Sequence, residues 1–517
     1  MGRTLQQLVT LAFLALLSAG CSAAGASSAQ EGPLQLPERH TLLLVLDGLR
    51  PDYISPERMP RLAGLREEGA WSEWHHAVFP TVTRVNAPSL VTGAAPGIHG
   101  LMDNAIHVPT VSADRVLNTG SATELMRAEA AWDGDLLTAP DLAGVLADGG
   151  KRLMVTSSGS PGSAYLLNYR TPTGPVLNNE LVVPDTLAPH LDALLGPLPP
   201  PARPNRARNR RAVDAYLDFG IPRYAPHVVV MWLNDPDGTA HAEGIGSPVT
   251  LEALAHVDEE VGRILDTLDA RGLLDRTDII ITSDHGFSTH VGTGQVAALL
   301  VEQGLKESVM SSEVVVAGGG VYVYEGGPQR VEAIVRLLQD TPWVGAVFTR
   351  GEEPGDMEGR VPGTLSFASI DYDHPRAPDI LFSADWSDGV NEWGWKGSTW
   401  QSGTAGHGTS SPWDIRATLL AVGPSFRKGF STPLPTGHRD IAPTILHLHG
   451  LTPPPSMQGR VLLELLAGGP DPSEIAAEQT EYTVTTGQGG RRYRLSLFTT
   501  RADGADYVRH TRVDRSP

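Results

Sequence analysis

Four short, unbroken runs of apolar residues constrain the fold more than any other feature of this sequence. They cover residues 41–46, 227–233, 278–282 and 417–422, which is the length of a strand rather than of a helix. Strands that are apolar on both faces are typical of parallel sheets covered by helices on each side. Apolar residues at helical spacing in 251–268 and 329–338 would supply such helices. The alternation predicts an α/β fold with a central, mostly parallel sheet flanked by helices on both faces.

Acidic and histidine side chains directly follow three of these runs. They are Asp47 after the first run, Asp237 and His241 after the second, and Asp284 and His285 after the third. The carboxyl ends of the strands in an open α/β sheet border one crevice, so these side chains are expected to converge there. His407 lies between two glycines shortly before the fourth run, and we expect this loop to bend it into the same crevice.

Together these six residues have the composition of a metal site. Mixed sets of histidine and aspartate suit zinc or a similar divalent ion. Six ligands exceed the needs of one catalytic ion, so two ions roughly 4 Å apart are expected, with zinc as the expected metal.

A hydrolase with two metal ions also needs a nucleophile, and Thr83 is the candidate. It lies in a segment, 79–93, that reads as a loop entering a helix. The N-terminus of a helix favours a bound anion. A metal ion lowers the pKa of a coordinated hydroxyl, so Thr83 is expected to contact metal and to attack without a histidine base. Taken alone, a threonine at a helix start is usually a cap, and only its combination with the six ligands favours catalysis.

In their order along the chain, these motifs resemble the alkaline phosphatase superfamily, and most of all its nucleotide pyrophosphatase/phosphodiesterase branch. The motifs span 47–408, and as a set they are highly specific. They are Leu46-Asp47-Gly48, Pro80-Thr-Val-Thr83-Arg-Val-Asn86 with Val91-Thr92-Gly93, Pro236-Asp237-x-x-x-His241, Asp284-His285-Gly286 and Gly406-His407-Gly408.

The resemblance implies a role for each matching residue. One metal ion would be held by Asp237, His241 and His407. The other would be held by Asp47, Asp284 and His285, with Thr83 bridging toward it. Asn86 matches the family asparagine that donates a hydrogen bond to a phosphoryl oxygen. The implied activity is that of a phosphodiesterase or nucleotide pyrophosphatase, which cleaves a small phosphate ester through a phosphothreonine-type intermediate.

One position departs from the family pattern. Nucleotide-cleaving members usually have an aromatic residue after the nucleophile, whereas this chain has Arg84. Arg84 is a candidate substrate-binding residue, because a guanidinium can hold phosphate oxygens bidentately. The alternative is that it pairs with an acidic neighbour or faces solvent. A phosphomonoesterase or a phosphonate hydrolase therefore stays open, as do, less favoured, a phosphoryl transferase and a non-catalytic metal-binding lipoprotein.

The two ends of the chain are interpreted separately from the catalytic domain, which is predicted to cover 41–465. Residues 1–20 are typical of a signal peptide, and 21–40 of a flexible tether. Small residues precede Cys21, the only cysteine, as in bacterial lipoproteins, so Cys21 is a candidate for lipidation and membrane anchoring. The protein is expected to be exported, either periplasmic or anchored to the outer membrane in a bacterium, and otherwise secreted. Residues 466–517 are predicted to form a tail with a short β hairpin.

Two further features bear on partners. The net charge of −19 argues against a basic surface that binds nucleic acid. Four tryptophans in 383–403 lie among glycine, serine and asparagine, and this segment is predicted to be a long polar loop.

Overall fold

A ten-stranded sheet forms the centre of the computed structural model, which describes residues 37–488 and 491–516. The predicted signal peptide, Cys21 and most of the predicted tether lie outside the described residues. The described strands are β1 (His40–Leu46), β2 (Ala70–His76), β3 (Ala105–Ile106), β4 (Leu117–Asn118), β5 (Leu153–Ser157), β6 (Val176–Asn178), β7 (Val182–Val183), β8 (Val228–Leu233), β9 (Thr277–Thr282), β10 (Ser288–His290), β11 (Val314–Ala317), β12 (Gly320–Val323), β13 (Val344–Thr349), β14 (Leu365–Ser366), β15 (Ile380–Ala384), β16 (Trp386–Val390), β17 (Lys396–Thr399), β18 (Ala405–Gly406), β19 (Arg416–Ala417), β20 (Leu419–Val422), β21 (Phe430–Gly437), β22 (Ala477–Gln488), β23 (Arg491–Ala502) and β24 (Ala505–Ser516).

Helices connect most of these strands. They are α1 (Pro60–Glu68), α2 (Thr83–Thr92), α3 (Pro96–His99), α4 (Ala122–Ala131), α5 (Leu142–Asp148), α6 (Pro161–Leu166), α7 (Ala188–Leu195), α8 (Arg206–Asp214), α9 (Ile221–Tyr224), α10 (Asp237–Glu243), α11 (Pro248–Ala270), α12 (Val296–Glu302), α13 (Gly327–Asp340), α14 (Pro412–Ile415) and α15 (Ile441–Leu448). Among these described helices, none combines the length and the apolar character that crossing a bilayer would require.

The central sheet has the strand order β19-β2-β20-β9-β1-β8-β5-β6-β7, and β21 pairs with β2. The five strands β9, β1, β8, β5 and β6 are parallel, which confirms the predicted mostly parallel sheet. The fourth apolar run is divided at Thr418 into β19 and β20, and β20 runs antiparallel to β9. The antiparallel pairs therefore lie toward the edges, and the parallel strands that position the site lie at the centre.

Strand β1 shows why its residues are apolar on both faces. Leu42 and Leu44 belong to a core cluster that includes Val257 of α11. Leu43 and Val45 belong to a second cluster, which includes residues of α2 and α15. Alternate side chains of one strand thus enter two cores, which confirms the prediction that helices cover both faces.

The C-terminal residues form a sheet that is larger than predicted. The expected hairpin is confirmed, and β22, β23 and β24, each 12 residues long, build a three-stranded antiparallel sheet. The prediction of a long polar loop at 383–403 was wrong, because β16 and β17 form a hairpin there. Trp386 is tied to the C-terminal sheet, where its Nε1 donates to the Thr511 carbonyl at 2.7 Å. The polar residues around Trp386 favoured a loop in the sequence, whereas the tryptophan itself packs in a hairpin.

Candidate metal centre and active site

Three neighbouring strands deliver the acidic residues to one crevice. Strands β9, β1 and β8 are adjacent and parallel, so the segments after their carboxyl ends lie side by side. Asp47 follows β1, and its carbonyl accepts a hydrogen bond from the Asp237 N–H at 3.0 Å. Asp284 and His285 follow β9, and the Gly48 N–H donates to Asp284 Oδ1 at 3.1 Å. The convergence predicted from strand-end placement is therefore present.

The first group of predicted ligands surrounds Asp237. Its Oδ1 lies 3.2 Å from His241 Nε2 and 3.3 Å from His407 Nε2. Helix α10 places His241 on the same face as Asp237, four residues earlier, because side chains four apart are neighbours on a helix. His407 comes from the glycine-rich turn that follows β18, and its side chain is only 6% exposed.

The second group surrounds His285. Its Nε2 lies 3.1 Å from Asp284 Oδ2 and 3.6 Å from Asp47 Oδ1. In each of two sets, Asp47 with Asp284 and His285, and Asp237 with His285 and His407, the ligand atoms lie within 4.8 Å of one another. His285 belongs to both sets, so the two groups form one continuous crevice.

Each predicted ligand except Asp237 is also fixed by a hydrogen bond from or to a group outside the crevice. Trp232 Nε1 donates to Asp47 Oδ2 at 2.9 Å, and Gly48 N–H holds Asp284 as described above. Each of the three imidazoles places Nδ1 against a backbone carbonyl. His241 faces Ala405 at 3.0 Å, His285 faces Gly286 at 2.9 Å, and His407 faces Thr81 at 2.7 Å. A carbonyl can only accept, so Nδ1 carries the proton and Nε2 presents a lone pair to the crevice. This is the usual arrangement around metal-binding histidines.

The charges of the crevice fit a divalent cation. Burial, Asp284 and Asp237 together raise the pKa of Asp47 well above its usual value. Burial would also raise the pKa of Asp237, but His241 and His407 outweigh it and hold that pKa well below its usual value. One oxygen of each carboxylate, Asp47 Oδ1, Asp237 Oδ1 and Asp284 Oδ2, is buried without a hydrogen-bond partner in the described chain. Buried carboxylate oxygens of this kind need a partner, and divalent cations supply one.

Thr83 lies beside this crevice, at the first position of α2. Its Oγ1 is 3.4 Å from His285 Nε2, and the residue is 4% exposed. Helix α2 has no side-chain cap, because the residue before it is Val82. The Arg84 N–H donates to Asn104 Oδ1, and those of Val85 and Asn86 donate to the Val82 carbonyl. The Thr83 N–H has no acceptor in the described chain and is available to an anion.

Asn86 is used differently from its predicted role. Its Nδ2 lies within hydrogen-bond distance of the carbonyls of Val78, Pro80 and Val82, and its Oδ1 accepts from Val78 N–H and faces His438 Nδ1 at 2.7 Å. Asn86 is fully buried, and its amide hydrogen-bonds within the loop that leads to Thr83. No N–H of Asn86 is left for the expected hydrogen bond to a phosphoryl oxygen in this arrangement.

Asn104 is a residue that sequence reasoning missed. Its Oδ1 accepts the Arg84 backbone N–H at 3.0 Å, which places the amide next to Thr83 in the chain. Its Nδ2 donates to no other group in the described part of the chain and is partly exposed. The sequence carried little signal for it, since Asn104 follows no apolar run and lies 20 residues after Arg84.

Arg84 extends from the start of α2 over Gly120. A Cβ built on Gly120 would lie 3.8 Å from both Arg84 Cζ and Nη2. Burial lowers the pKa of Arg84, although Asp47 and Asp237 oppose that shift. Arg84 Nε is buried without a partner, and the guanidinium forms no ion pair with a described acidic residue. The predicted alternative of pairing with an acidic neighbour is therefore absent from the described residues.

Comparisons with known proteins agree with this geometry. Residues 41–407 match the family model described as type I phosphodiesterase / nucleotide pyrophosphatase. The chain belongs to this family. The matched range contains every predicted metal ligand and Thr83, and it ends at His407. The resemblance inferred from the motifs is thus confirmed at the level of the family.

Curated relatives align with about half of this chain. A venom phosphodiesterase of Macrovipera lebetinus is 27% identical over 263 residues, which is 50% of this chain and 27% of the relative. Ectonucleotide pyrophosphatase/phosphodiesterase family member 1 of Rattus norvegicus is 26% identical over 278 residues, or 50% of this chain and 25% of the relative. The chain thus spans about a quarter of the length of these curated relatives.

Solved structures of the family show the same fold. Murine ectonucleotide pyrophosphatase/phosphodiesterase 5 superposes with a TM-score of 0.60 at 18% identity, covering 83% of this chain and 100% of that one. An inactive variant of that murine protein, in complex with AMP, matches equally well.

Proposed function

We propose that this chain hydrolyses phosphate esters in two steps, with Thr83 as the nucleophile and two divalent metal ions as cofactors. Family membership supports a phosphodiesterase or nucleotide pyrophosphatase. The single observation that carries the proposal is the position of Thr83 Oγ1, 3.4 Å from Nε2 of His285, which belongs to both sets of closely spaced ligand atoms.

The donor set suggests how the metal ions are divided. Asp237, His241 and His407 would hold one ion, and Asp47, Asp284, His285 and Thr83 the other. Zinc is the expected metal, because imidazole Nε2 and carboxylate oxygens are ligands that it favours. When bound, two such ions would lower the pKa of the Thr83 hydroxyl and neutralise charge on the phosphoryl group.

The protein's own groups would orient the phosphoryl group. The N-terminus of α2 and Asn104 Nδ2 would donate to its oxygens beside Thr83, so we transfer the role expected of Asn86 to Asn104. In the first step the Thr83 hydroxyl gives its proton to solvent and Oγ1 bonds to phosphorus. The bond from phosphorus to the leaving oxygen breaks, and that oxygen departs with the electron pair. In the second step water attacks the same phosphorus, and the Thr83 hydroxyl is regenerated.

A second candidate function rests on Arg84. A partly buried guanidinium with no acidic partner among the described residues favours a substrate with more negative charge than a simple diester. That substrate would be a phosphomonoester, a phosphonate, or a diester with a neighbouring phosphate. The murine relative in complex with AMP supports a nucleotide-sized ligand in this fold.

A substrate panel on the metal-loaded protein tests both candidates. The substrates are bis-p-nitrophenyl phosphate, p-nitrophenyl phosphate, thymidine p-nitrophenyl phosphate and phosphonoacetate, compared by kcat/KM. The main proposal expects a diester to be cleaved fastest, and a strong monoester or phosphonate preference would replace it by the second candidate. Turnover that is unchanged in Thr83→Ala would overturn both.

We also propose that the protein is exported and that Cys21 is lipidated, on the basis of the sequence motif alone. Mass spectrometry of the N-terminal peptide from cells in which the gene is native checks this. A mature chain that begins at an acylated Cys21 is expected, and an unmodified Cys21 in the mature chain would contradict it.

A further inference from the structure

The β3–β4 hairpin begins and ends beside the start of α2. Asn104, which precedes β3, accepts the Arg84 N–H at 3.0 Å, and Gly120, shortly after β4, lies next to the Arg84 guanidinium. Thr119 joins these two ends, because its N–H donates to the Asn104 carbonyl at 3.0 Å and its Oγ1 donates to the same oxygen at 2.8 Å. The position of the Asn104 backbone is therefore fixed by the base of this hairpin.

Asp103, the residue before Asn104, is an acidic side chain that the proposed mechanism does not use. It is only 5% exposed, and its two oxygens accept hydrogen bonds from backbone N–H groups. Oδ1 accepts from Ala105 and Oδ2 from Gly319, each at 3.2 Å. Burial raises the pKa of Asp103 to about 6, although these two N–H groups oppose the rise, so the carboxyl group is ionised at neutral pH and can only accept. Asp103 thus links its own loop to a segment 216 residues away.

That distant segment is the turn between β11 and β12, and it fits closely against the carboxylate. A Cβ built on Gly318 would lie 2.2 Å from Asp103 Oδ1 and 2.4 Å from Asp103 Cγ, which is closer than non-bonded atoms approach. Gly318 also has a φ of +56°, a left-handed conformation that favours glycine. The close contact and the backbone conformation therefore both require glycine at this position of the turn.

The two hairpins also pack together away from Asp103. Val116, in the loop of the β3–β4 hairpin, packs against a small buried cluster that includes Ala317 and Tyr322. His107 Nδ1 lies 2.7 Å from the hydroxyl of Tyr324, which directly follows β12. Strand β12 in turn pairs with β15, so the β11–β12 hairpin is a fixed part of a five-stranded sheet. Of these contacts, the one through Asp103 lies nearest to Asn104 along the chain.

We propose that Asp103 is a positioning residue for Asn104. By bridging the Ala105 and Gly319 N–H groups, its carboxylate fixes the Asn104 backbone and directs Nδ2 toward the phosphoryl group. This inference rests on the proposed function, in which Asn104 Nδ2 donates to a phosphoryl oxygen beside Thr83. A donor stabilises a developing oxyanion only at hydrogen-bond distance, and a displacement of about 1 Å can cost up to about a hundredfold in rate. The turn at Gly318 thus influences the reaction rate without contacting the substrate.

Two variants disturb this bridge from opposite ends. Asp103→Asn keeps the shape of the side chain but turns one acceptor oxygen into an N–H donor that faces a backbone N–H. Gly318→Ala places a methyl group against the Asp103 carboxylate. Gly304→Ala is the matched control, because Gly304 also has a positive φ, +68°, but a Cβ there meets no heavy atom within 4 Å. Each variant is made in the wild-type protein and in Asn104→Ala, and all proteins are loaded with zinc.

The measurements are kcat and KM for thymidine p-nitrophenyl phosphate, together with melting temperature and metal content per chain. Asp103→Asn and Gly318→Ala should each lower kcat by about tenfold, a part of the loss of about a hundredfold expected when the Asn104 donor is removed. KM and metal content should stay close to those of wild type, and Gly304→Ala should keep the wild-type kcat. In the Asn104→Ala background, neither variant should lower kcat further, because the amide that Asp103 positions is already absent. A role in stability alone would lower the melting temperature in both backgrounds without this dependence of kcat on Asn104.

Wild-type kcat in Asp103→Asn and Gly318→Ala would overturn the role of Asp103 alone, provided that Asn104→Ala is about a hundredfold slower than wild type. The same fold loss of kcat in both backgrounds would overturn it as well, since Asp103 would then act independently of Asn104. If Asn104→Ala itself turns over at the wild-type rate, the proposed contact between Asn104 and the phosphoryl group fails, and this inference fails with it. If Gly318→Ala does not fold, Asp103→Asn decides alone.

Discussion

The two sides of the crevice leave opposite kinds of atom without a partner in the described residues, carboxylate oxygens on the metal side and N–H donors on the other. On the metal side, the predicted ligands other than Asp237 are fixed by a second hydrogen bond, from Trp232, from Gly48 or to a backbone carbonyl. On the other side, which we propose binds the phosphate, Arg84 has no acidic partner and Asn104 Nδ2 has no acceptor among the described residues. This difference is the one expected if cations complete the carboxylate side and the substrate completes the donor side.

The largest effect is expected from removing the proposed nucleophile, which should abolish turnover and leave metal binding intact. Thr83→Ala is expected to lower kcat by roughly ten-thousandfold or more, because the covalent step is lost. The metal content per chain, measured on the same preparations, should stay close to that of wild type, since six ligands remain. Turnover near the wild-type rate would refute the role of Thr83.

The two asparagines provide a matched pair on the phosphate side. Asn104→Ala should lower kcat by about a hundredfold or more, the usual loss for one donor to a developing oxyanion. Its melting temperature should fall less than that of Asn86→Ala, because only the Arg84 N–H loses its acceptor. Asn86→Ala should lower the melting temperature, because it leaves buried loop carbonyls without a donor at about 1–3 kcal/mol for each unsatisfied group. The reverse pattern, with Asn86→Ala stable but slow and Asn104→Ala active, would restore the role first expected of Asn86.

On the metal side, the bond from Trp232 to Asp47 can be removed by Trp232→Phe, which also leaves a cavity in the core because Trp232 is fully buried. The variant keeps an aromatic ring and loses the donor, so affinity for one metal ion should fall by roughly 10- to 100-fold in a chelator competition. Trp386→Phe is the control, since Trp386 Nε1 donates to the Thr511 carbonyl and to no predicted ligand. Equal affinity in the two variants would mean that this second bond does not tune the site.

The smallest effect is expected at Arg84. Arg84→Ala should lower kcat/KM by about tenfold for substrates with an additional phosphate charge, the value of one charge-assisted contact, and by less for a simple diester. Arg84→Lys should recover only part of the loss, because lysine cannot bind bidentately. Equal losses of kcat/KM for all substrates would show that Arg84 does not distinguish substrates by their charge.

The sequence was most informative where chemistry coincides with strand ends. Asp47, Asp237 and Asp284 each follow an apolar run, and parallel strands bring such positions together whatever their separation along the chain. The inward orientation of the Asn86 amide, toward Val78 and Val82, was not predicted, because its place in the motif does not reveal it. That orientation depends on tertiary contacts with the loop and with His438.

Other features depended on contacts between distant segments. Asn104 becomes part of the site only because the chain returns to the start of α2, and no local periodicity marks that return. The β16–β17 hairpin was predicted as a loop because its pairing is irregular and its residues are largely polar. Trp386 of this hairpin bonds the Thr511 carbonyl, and Thr511 lies 125 residues later in the chain.

Metal stoichiometry tests the central claim most directly. The purified protein would be supplied with zinc, freed of excess metal by gel filtration and measured by elemental mass spectrometry against protein concentration. The account predicts two ions per chain, and only one in Asp284→Ala, which removes a ligand of a single predicted ion. One ion or none in the wild-type protein would contradict a centre built on two sets of ligands.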